Sequence, residues 1–184
     1  MRRRTIRRFQ KRRIPYDVLE KCVNAARLGA SGANLQPCEY VIVDDEVLIP
    51  QIFSTLKWAG YIAPEGNPPA GEEPSAYIVI LLNRKRRPEG GNHDVGIAAA
   101  HIALVALEKG VGCCMLGSVD RDRLREILKI SEWCDIDLVM ALGYPNEEPI
   151  QEETMGSIKY WKDKDGMLHV PKRRLADVTH HNKY

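Results

Sequence analysis

One stretch limits the possible folds more than any other: Asp94-Val-Gly-Ile-Ala-Ala-Ala-His-Ile-Ala-Leu-Val-Ala-Leu-Glu-Lys109. Asn92 or Asp94 can cap a helix here and Gly110 can end it. Its apolar residues, Ile97 through Ala100 and Ile102 through Leu107, fall on nearly every face. Such a helix has to be buried on most sides. A chain of 184 residues builds one real core. It rarely covers such a helix alone. The expectation is a central helix with one face against a second copy of the chain, a homodimer.

The remaining pattern alternates irregularly. Pro15 opens a helix carrying Val18, Leu19, Cys22, Val23 and Ala26 at helical spacing. Glu39 to Val43 reads as a strand, residues 46–56 as a second helix, and Ala76 to Leu82 as a central strand. Trp58 to Ser75 holds Gly60, Gly66, Gly71, Pro64, Pro68, Pro69 and Pro74, and reads as a long functional or disordered loop. Val111 to Leu116 is a strand, Arg121 to Lys129 a helix and Ile136 to Gly143 a strand. Asn146 to Tyr184 is polar and extended, with too little apolar content to fold by itself, and so is expected to be disordered or to wrap another surface. With no repeat and no internal boundary, residues 1–184 read as a single domain of α+β class.

Composition excludes several classes. Net charge is +2, so no global field favours nucleic acid. No window of about 18 apolar residues suggests a membrane span. An apolar secretory h-region and a Ser-rich transit stretch are both missing, so no leader is expected. The five cysteines (22, 38, 113, 114 and 134) are odd in number and lack CxxC spacing, which argues against a disulfide framework or zinc site and for a reducing cytoplasm. Cys113-Cys114 is a redox pair or, the better reading, two small buried strand residues. Walker A, GxGxxG and GxSxG motifs are absent.

The basic residues cluster instead. Arg2, Arg3, Arg4, Arg7, Arg8, Lys11, Arg12 and Arg13 crowd the start. Alone, such a run is a solvated arm. Taken with Ser31-Gly-Ala-Asn-Leu-Gln-Pro37 and Pro171-Lys-Arg-Arg174, it offers what a phosphate monoester needs: charge, forked donors and a short hydroxyl. In this order the segments resemble the nitroreductase family of FMN-dependent oxidoreductases, and the resemblance runs from Arg3 to about Arg174.

The resemblance implies specific roles. Arg3-Arg4-Thr5-Ile6-Arg7 is similar to the family's Arg-Arg-Ser-x-Arg start, which implies that Arg3 and Thr5 grip the FMN phosphate. Arg4 would lie by the ribityl chain or phosphate, and Arg7 at the pyrimidine edge, where reduction leaves negative charge. Ser31, Asn34 and Gln36 match the family's Ser-x-x-Asn-x-Gln-Pro loop, which lies over the flavin, often across the subunit boundary; Cys38 stands where an aromatic is usual. Met115, Leu116, Gly117 and Ser118 match the strand and turn whose backbone faces flavin N5 and O4. Lys172 and Arg174 would complete the phosphate site. The implied fold has helices on both faces of a small, mainly antiparallel sheet, and a dimer whose C-terminal tail wraps the partner. The implied activity moves hydride from NADH or NADPH through FMN to a small-molecule acceptor such as a nitroaromatic or quinone. No side chain is required as a catalytic acid or base, and no metal. Reductive dehalogenation, flavin fragmentation and a non-enzymatic basic-arm nucleic-acid binder remain alternatives. His101 reads as a satisfied core or interface histidine, and Trp58 or Tyr61 as a surface for an aromatic acceptor.

Overall fold

The computed structural model of the chain describes residues 3–154 and 156–184. Arg2, part of the basic run, lies outside the described residues. The helices are α1 (Tyr16–Leu28), α2 (Leu48–Phe53), α3 (Asn92–Glu108) and α4 (Arg121–Leu128). The strands are β1 (Cys38–Val43), β2 (Ala76–Asn83), β3 (Gly112–Leu116), β4 (Cys134–Gly143), β5 (Ile150–Thr154), β6 (Trp161–Lys162) and β7 (Leu168–Arg173).

Every side chain of β2 is buried, which is why its sequence is a continuous apolar run rather than an alternating one. It sits inside an antiparallel sheet of order β1-β2-β4-β3. Alternate residues then feed two cores. Ala76, Ile78, Ile80 and Leu82 face α1 and α3, with Met140 and Leu142. Tyr77, Val79 and Leu81 face the other side, with Ile52 of α2, Leu124 of α4 and Trp58. Helices therefore cover both faces of a small antiparallel sheet, as the resemblance implies. The register of β2 against β4 slips between Ile80 and Leu81, which pair with Leu138 and Ile136. The skipped Asp137 accepts a hydrogen bond from Asn92 Nδ2 at 3.1 Å.

Three expectations change. The cap of α3 is Gly91 at φ 98°, with no side-chain cap bond. Asn92 and Asp94 lie inside the helix, and Asp94 bonds elsewhere. Second, residues 146–184 are not featureless. β7 pairs in parallel with β5 and antiparallel with β6, and this small sheet lies on the same chain. Lys162 Nζ donates to the Glu65 carbonyl at 2.7 Å, and the Tyr160 and Tyr61 rings pack 5.0 Å apart. Paired backbone and aromatic contacts order what apolar content alone could not. Third, Trp58 is 5% exposed and packs on Phe53 at 5.6 Å, so it is core and no acceptor platform.

The α3 expectation divides by face. Val95, Ala98, Ala99, Ile102, Ala103 and Ala106 are buried. Gly96, Ala100, His101 and Leu104, which is 45% exposed, form an open stripe on α3, and Leu28 of α1 is exposed too. His101 Nδ1 lies 2.8 Å from its own turn's Ile97 carbonyl, so it belongs to that open face and not to the core.

Candidate functional site

The basic arm is woven into the sheet. Ile6 N–H donates to the Cys113 carbonyl at 3.0 Å, and Thr5 forms a parallel bridge with Cys113, so the arm extends the β3 edge. Gln10 N–H donates to the Tyr144 carbonyl at 2.8 Å, and Asn146 N–H to the Arg8 carbonyl at 2.9 Å. Ile6 and Phe9 are buried. Two glycines make this approach possible. A Cβ on Gly112 would come within 2.7 Å of Ile6 Cγ1, and one on Gly143 within 2.6 Å of Phe9 Cδ1. A side chain at either position would force Ile6 or Phe9 to shift.

Pinned this way, the arm offers its polar side chains beside β3. Arg3 and Arg4 line a cleft of about 940 Å³ with Ala103, Leu107, Glu147 and Gln151. The Arg4 guanidinium donates to the Gln151 side chain. Arg7 lies with its guanidinium 5.0 Å from the Tyr160 ring centre, and its Nε is buried with no hydrogen-bond partner among the described residues. A buried cationic donor without an acceptor is costly unless something fills the place. Glu147 holds the bend here, its Oε1 accepting from the backbone N–H of Arg7 at 2.5 Å and of Arg8 at 3.2 Å. Glu147 carries no motif of its own; a carboxylate four residues after Gly143 means little until the arm is seen to cross it.

At the far end of β3, Met115 is 40% exposed between buried Cys114 and Leu116. Gly117 and Ser118 follow as exposed turn residues, and a Cβ on Gly117 would meet nothing within 4 Å. Arg121 fixes this turn by donating to the Gly117 carbonyl at 3.1 Å and to the Ile136 carbonyl at 2.9 Å. Cys113 and Cys114 point to opposite faces of β3, one in each core. Burial pushes their thiols up to about 11 and about 12. They are packing residues held as thiols, not an activated redox pair.

The other two segments stand apart from the arm. Ser31 and Gln36 line a small cavity of about 190 Å³ with Arg27, Arg86 and Asp94. Asn34 is exposed in the same loop. Lys172 is exposed on β7, and Arg174 is paired bidentately with Asp177 at 2.9 and 3.1 Å, beside a cavity of about 330 Å³ that also holds Thr154. The thread from arm to tail runs through Gln151 of β5, the strand whose Glu153 pairs with Lys172. Within one chain, then, the structure groups Arg3, Arg4, Thr5 and Arg7 with the β3 end. The Ser31–Gln36 loop and Arg174 face clefts of their own. Among the described residues no cluster of three or more His, Cys, Asp or Glu could hold a metal ion. No helix among them is long and apolar enough to cross a membrane.

An antiparallel sheet with helices on both faces, whose edge is built by an N-terminal basic arm, is the nitroreductase fold. A solved FMN-dependent nitroreductase of Clostridium difficile superposes with a TM-score of 0.72 at 23% identity, covering 99% of this chain and 96% of that one. The sequence model of the Nitroreductase family matches residues 1–144, and the chain belongs to that family. A relative from Archaeoglobus fulgidus, provisionally named NADH dehydrogenase/NAD(P)H nitroreductase, is 30% identical over 153 residues, 79% of this chain and 83% of its own. An iodotyrosine deiodinase of Thermotoga neapolitana is 24% identical over 161 residues, 79% of this chain and 86% of its own.

Proposed function

We propose that this chain binds FMN and passes hydride from NADH or NADPH to a small oxidised acceptor, a nitroaromatic or a quinone. The observation that carries the reading is the arm: its cations and hydroxyl lie along the β3 edge, and Arg7 Nε is buried with no protein partner. The donor set fits the group. Arg3, Arg4 and Thr5 supply forked charge and a hydroxyl for a phosphate, with Lys172 and Arg174 as further cations. Met115, Gly117 and Ser118 are exposed around Leu116 at the end of β3, where a flat ring can approach. FMN, when bound, supplies reversible two-electron transfer.

The chain's own part is to bind, orient and stabilise. Arg7 would set a fixed positive charge where reduction puts negative charge, which favours the reduced form without any proton moving. Tyr160 and Glu147 keep Arg7 in place, one under the guanidinium and one on its backbone. No side chain in this reading serves as acid or base. The exposed stripe of α3 and Leu28 support a homodimer, in which the Ser31, Asn34 and Gln36 loop would approach a second copy's flavin. Purified protein should be yellow and release FMN, not FAD, on denaturation. Release of FAD alone, or failure of added FMN to bind, would overturn the reading.

A second reading, reductive dehalogenation, is favoured by the similarity to the iodotyrosine deiodinase. Turnover of iodotyrosine against nitroaromatics by the reduced protein separates the two. The nucleic-acid reading gains no observation of its own, and the arm's backbone is pinned to the sheet at Thr5, Ile6 and Gln10.

A further inference from the structure

The loop after α1 is unusually strained. Ala33, Asn34 and Gln36 have φ of 50°, 55° and 50°, and none of them is glycine. Left-handed backbone at a residue with a Cβ is costly and persists only where surroundings over-determine it. Part of the restraint is local: Ser31 Oγ accepts from the Gln36 N–H at 3.0 Å. The rest comes from a distant element. Asp94 in the first turn of α3 is 5% exposed. Its Oδ1 accepts from the Gly32 N–H at 2.9 Å, and its Oδ2 from Arg87 Nη1 at 3.0 Å. That guanidinium lies directly over the loop, since a Cβ on Gly32 would stand 2.6 Å from Arg87 Nη1. Both carboxylate oxygens are thus used, one on the loop and one on the residue that covers it. A buried carboxylate is tolerated only when so paired.

We propose that Asp94 and Arg87 form a clamp that holds the loop at residues 32–36 in this shape, with Ala33, Asn34 and Gln36 left-handed, so that Ser31, Asn34 and Gln36 are presented preorganised to the flavin. This rests on the reading of that loop as flavin-binding. Asp94 and Arg87 touch no ligand in it; they are positioning residues. Preorganisation would lower the ordering cost of binding. Loosening the clamp should weaken FMN binding and leave the phosphate contacts intact.

The test uses the full chain freed of FMN, with FMN itself as the probe. Hydrogen exchange at residues 32–36 and FMN titration are measured for Arg87→Ala, Gly32→Ala, their double variant and Asp94→Asn. Asp94→Asn leaves Arg87 without its charge partner and can lower overall stability. Arg87→Ala removes the guanidinium and leaves the Asp94–Gly32 bond in place, so it carries the test; Gly32→Ala keeps both clamp residues and only pushes the movable end of Arg87 aside. In Arg87→Ala, exchange at residues 32–36 should rise at least tenfold while α3 stays protected, and the FMN Kd should rise at least tenfold; Gly32→Ala should move both in the same direction by less. The double variant should be no worse than Arg87→Ala, because both changes remove one interaction. Unchanged exchange at these amides would overturn the clamp. Faster exchange with an unchanged FMN Kd would overturn its role in presenting the loop. If the unmutated chain fails to bind FMN, the proposed function and the ligand half of this inference fall together, and exchange alone then decides the clamp.

Discussion

Arg7 and Thr5 sit two residues apart on the arm and have different jobs. Thr5 lies on the strand edge, bridged to Cys113, with a hydroxyl suited to a phosphate. Arg7 has turned inward, over Tyr160 and toward Cys114, with Nε lacking a partner among the described residues. Thr5→Ala should weaken FMN binding by about 1.5–3 kcal/mol, the worth of a bond to a charged group, and leave the flavin potential nearly unchanged. Arg7→Ala should lower the midpoint potential, because its charge acts mainly on the reduced form, and reduction by NAD(P)H should slow. Arg7→Lys should restore part of the shift, since a point charge returns without the planar fork. The measurement is the midpoint potential of the FMN-loaded variants, and equal shifts for Thr5→Ala and Arg7→Ala would reduce Arg7 to one more arm cation. The residue types of this site were legible in the sequence; Glu147, which holds the bend, was not, because a surface carboxylate acquires meaning only from the backbone that crosses it.

At the scale of elements, the loop at 58–75 and the small C-terminal sheet meet through Tyr61 and Tyr160. Trp58 is core, so Trp58→Ala should destabilise the fold by about 3–5 kcal/mol, as large aromatic deletions do. Tyr61 is exposed at the junction. Tyr61→Ala should leave thermal stability and FMN content nearly unchanged and raise the acceptor KM; lost FMN with unaltered acceptor kinetics would misplace this loop. The small sheet carries a titratable fastening. His169 stacks on Trp161 at 4.2 Å, and its two ring nitrogens lie 3.3 Å from Glu152 and 3.3 Å from Asp163. Only the protonated ring can donate to both carboxylates. Its pKa is raised, mainly by the hydrogen bond to Asp163, with lost solvation opposing the rise and Glu152 adding to it. A raised folded-state value means the contribution is complete below the ordinary histidine pKa of about 6.5 and is lost as pH climbs through the folded value. An NMR titration of His169 should give a midpoint above that ordinary value, and Asp163→Asn should lower it. A midpoint at or below the ordinary value would mean the two carboxylates do not hold the ring.

At the scale of the whole molecule, one side of α3 is open. The open stripe Gly96, Ala100, His101, Leu104 on α3 is largely apolar, and Leu28 of α1 is exposed as well, a pattern that marks an association surface. The arm, the Ser31–Gln36 loop and the C-terminal cations also remain in separate clefts within one chain, as expected if a second copy joins them. Leu104→Glu tests this cleanly. At an exposed helical position it should change the stability of an isolated chain by at most about 0.5 kcal/mol. It should nevertheless convert a dimer to a monomer in light scattering and reduce FMN retention. A variant that stays dimeric, or a monomer in the unmutated protein at micromolar concentration, would remove this stripe as the interface.

By itself the sequence determined the features that depend on local periodicity and residue chemistry. It marked the continuous apolar run of β2, the all-round apolar α3, the helix behind Pro15, and the three segments bearing cations, hydroxyls and amides. Each is decided by neighbours a few residues away, so each can be read along the chain. Only the tertiary structure decided the rest. It buried Trp58 in place of offering it, moved the α3 cap from Asn92 or Asp94 to Gly91, and turned a polar tail into a paired sheet. It also joined Asp94 to Gly32 and Arg87, and Glu147 to the arm. Most of these contacts join residues far apart in the chain. Their energies depend on burial and on which backbone groups lack partners, and neither quantity exists until the chain has closed on itself.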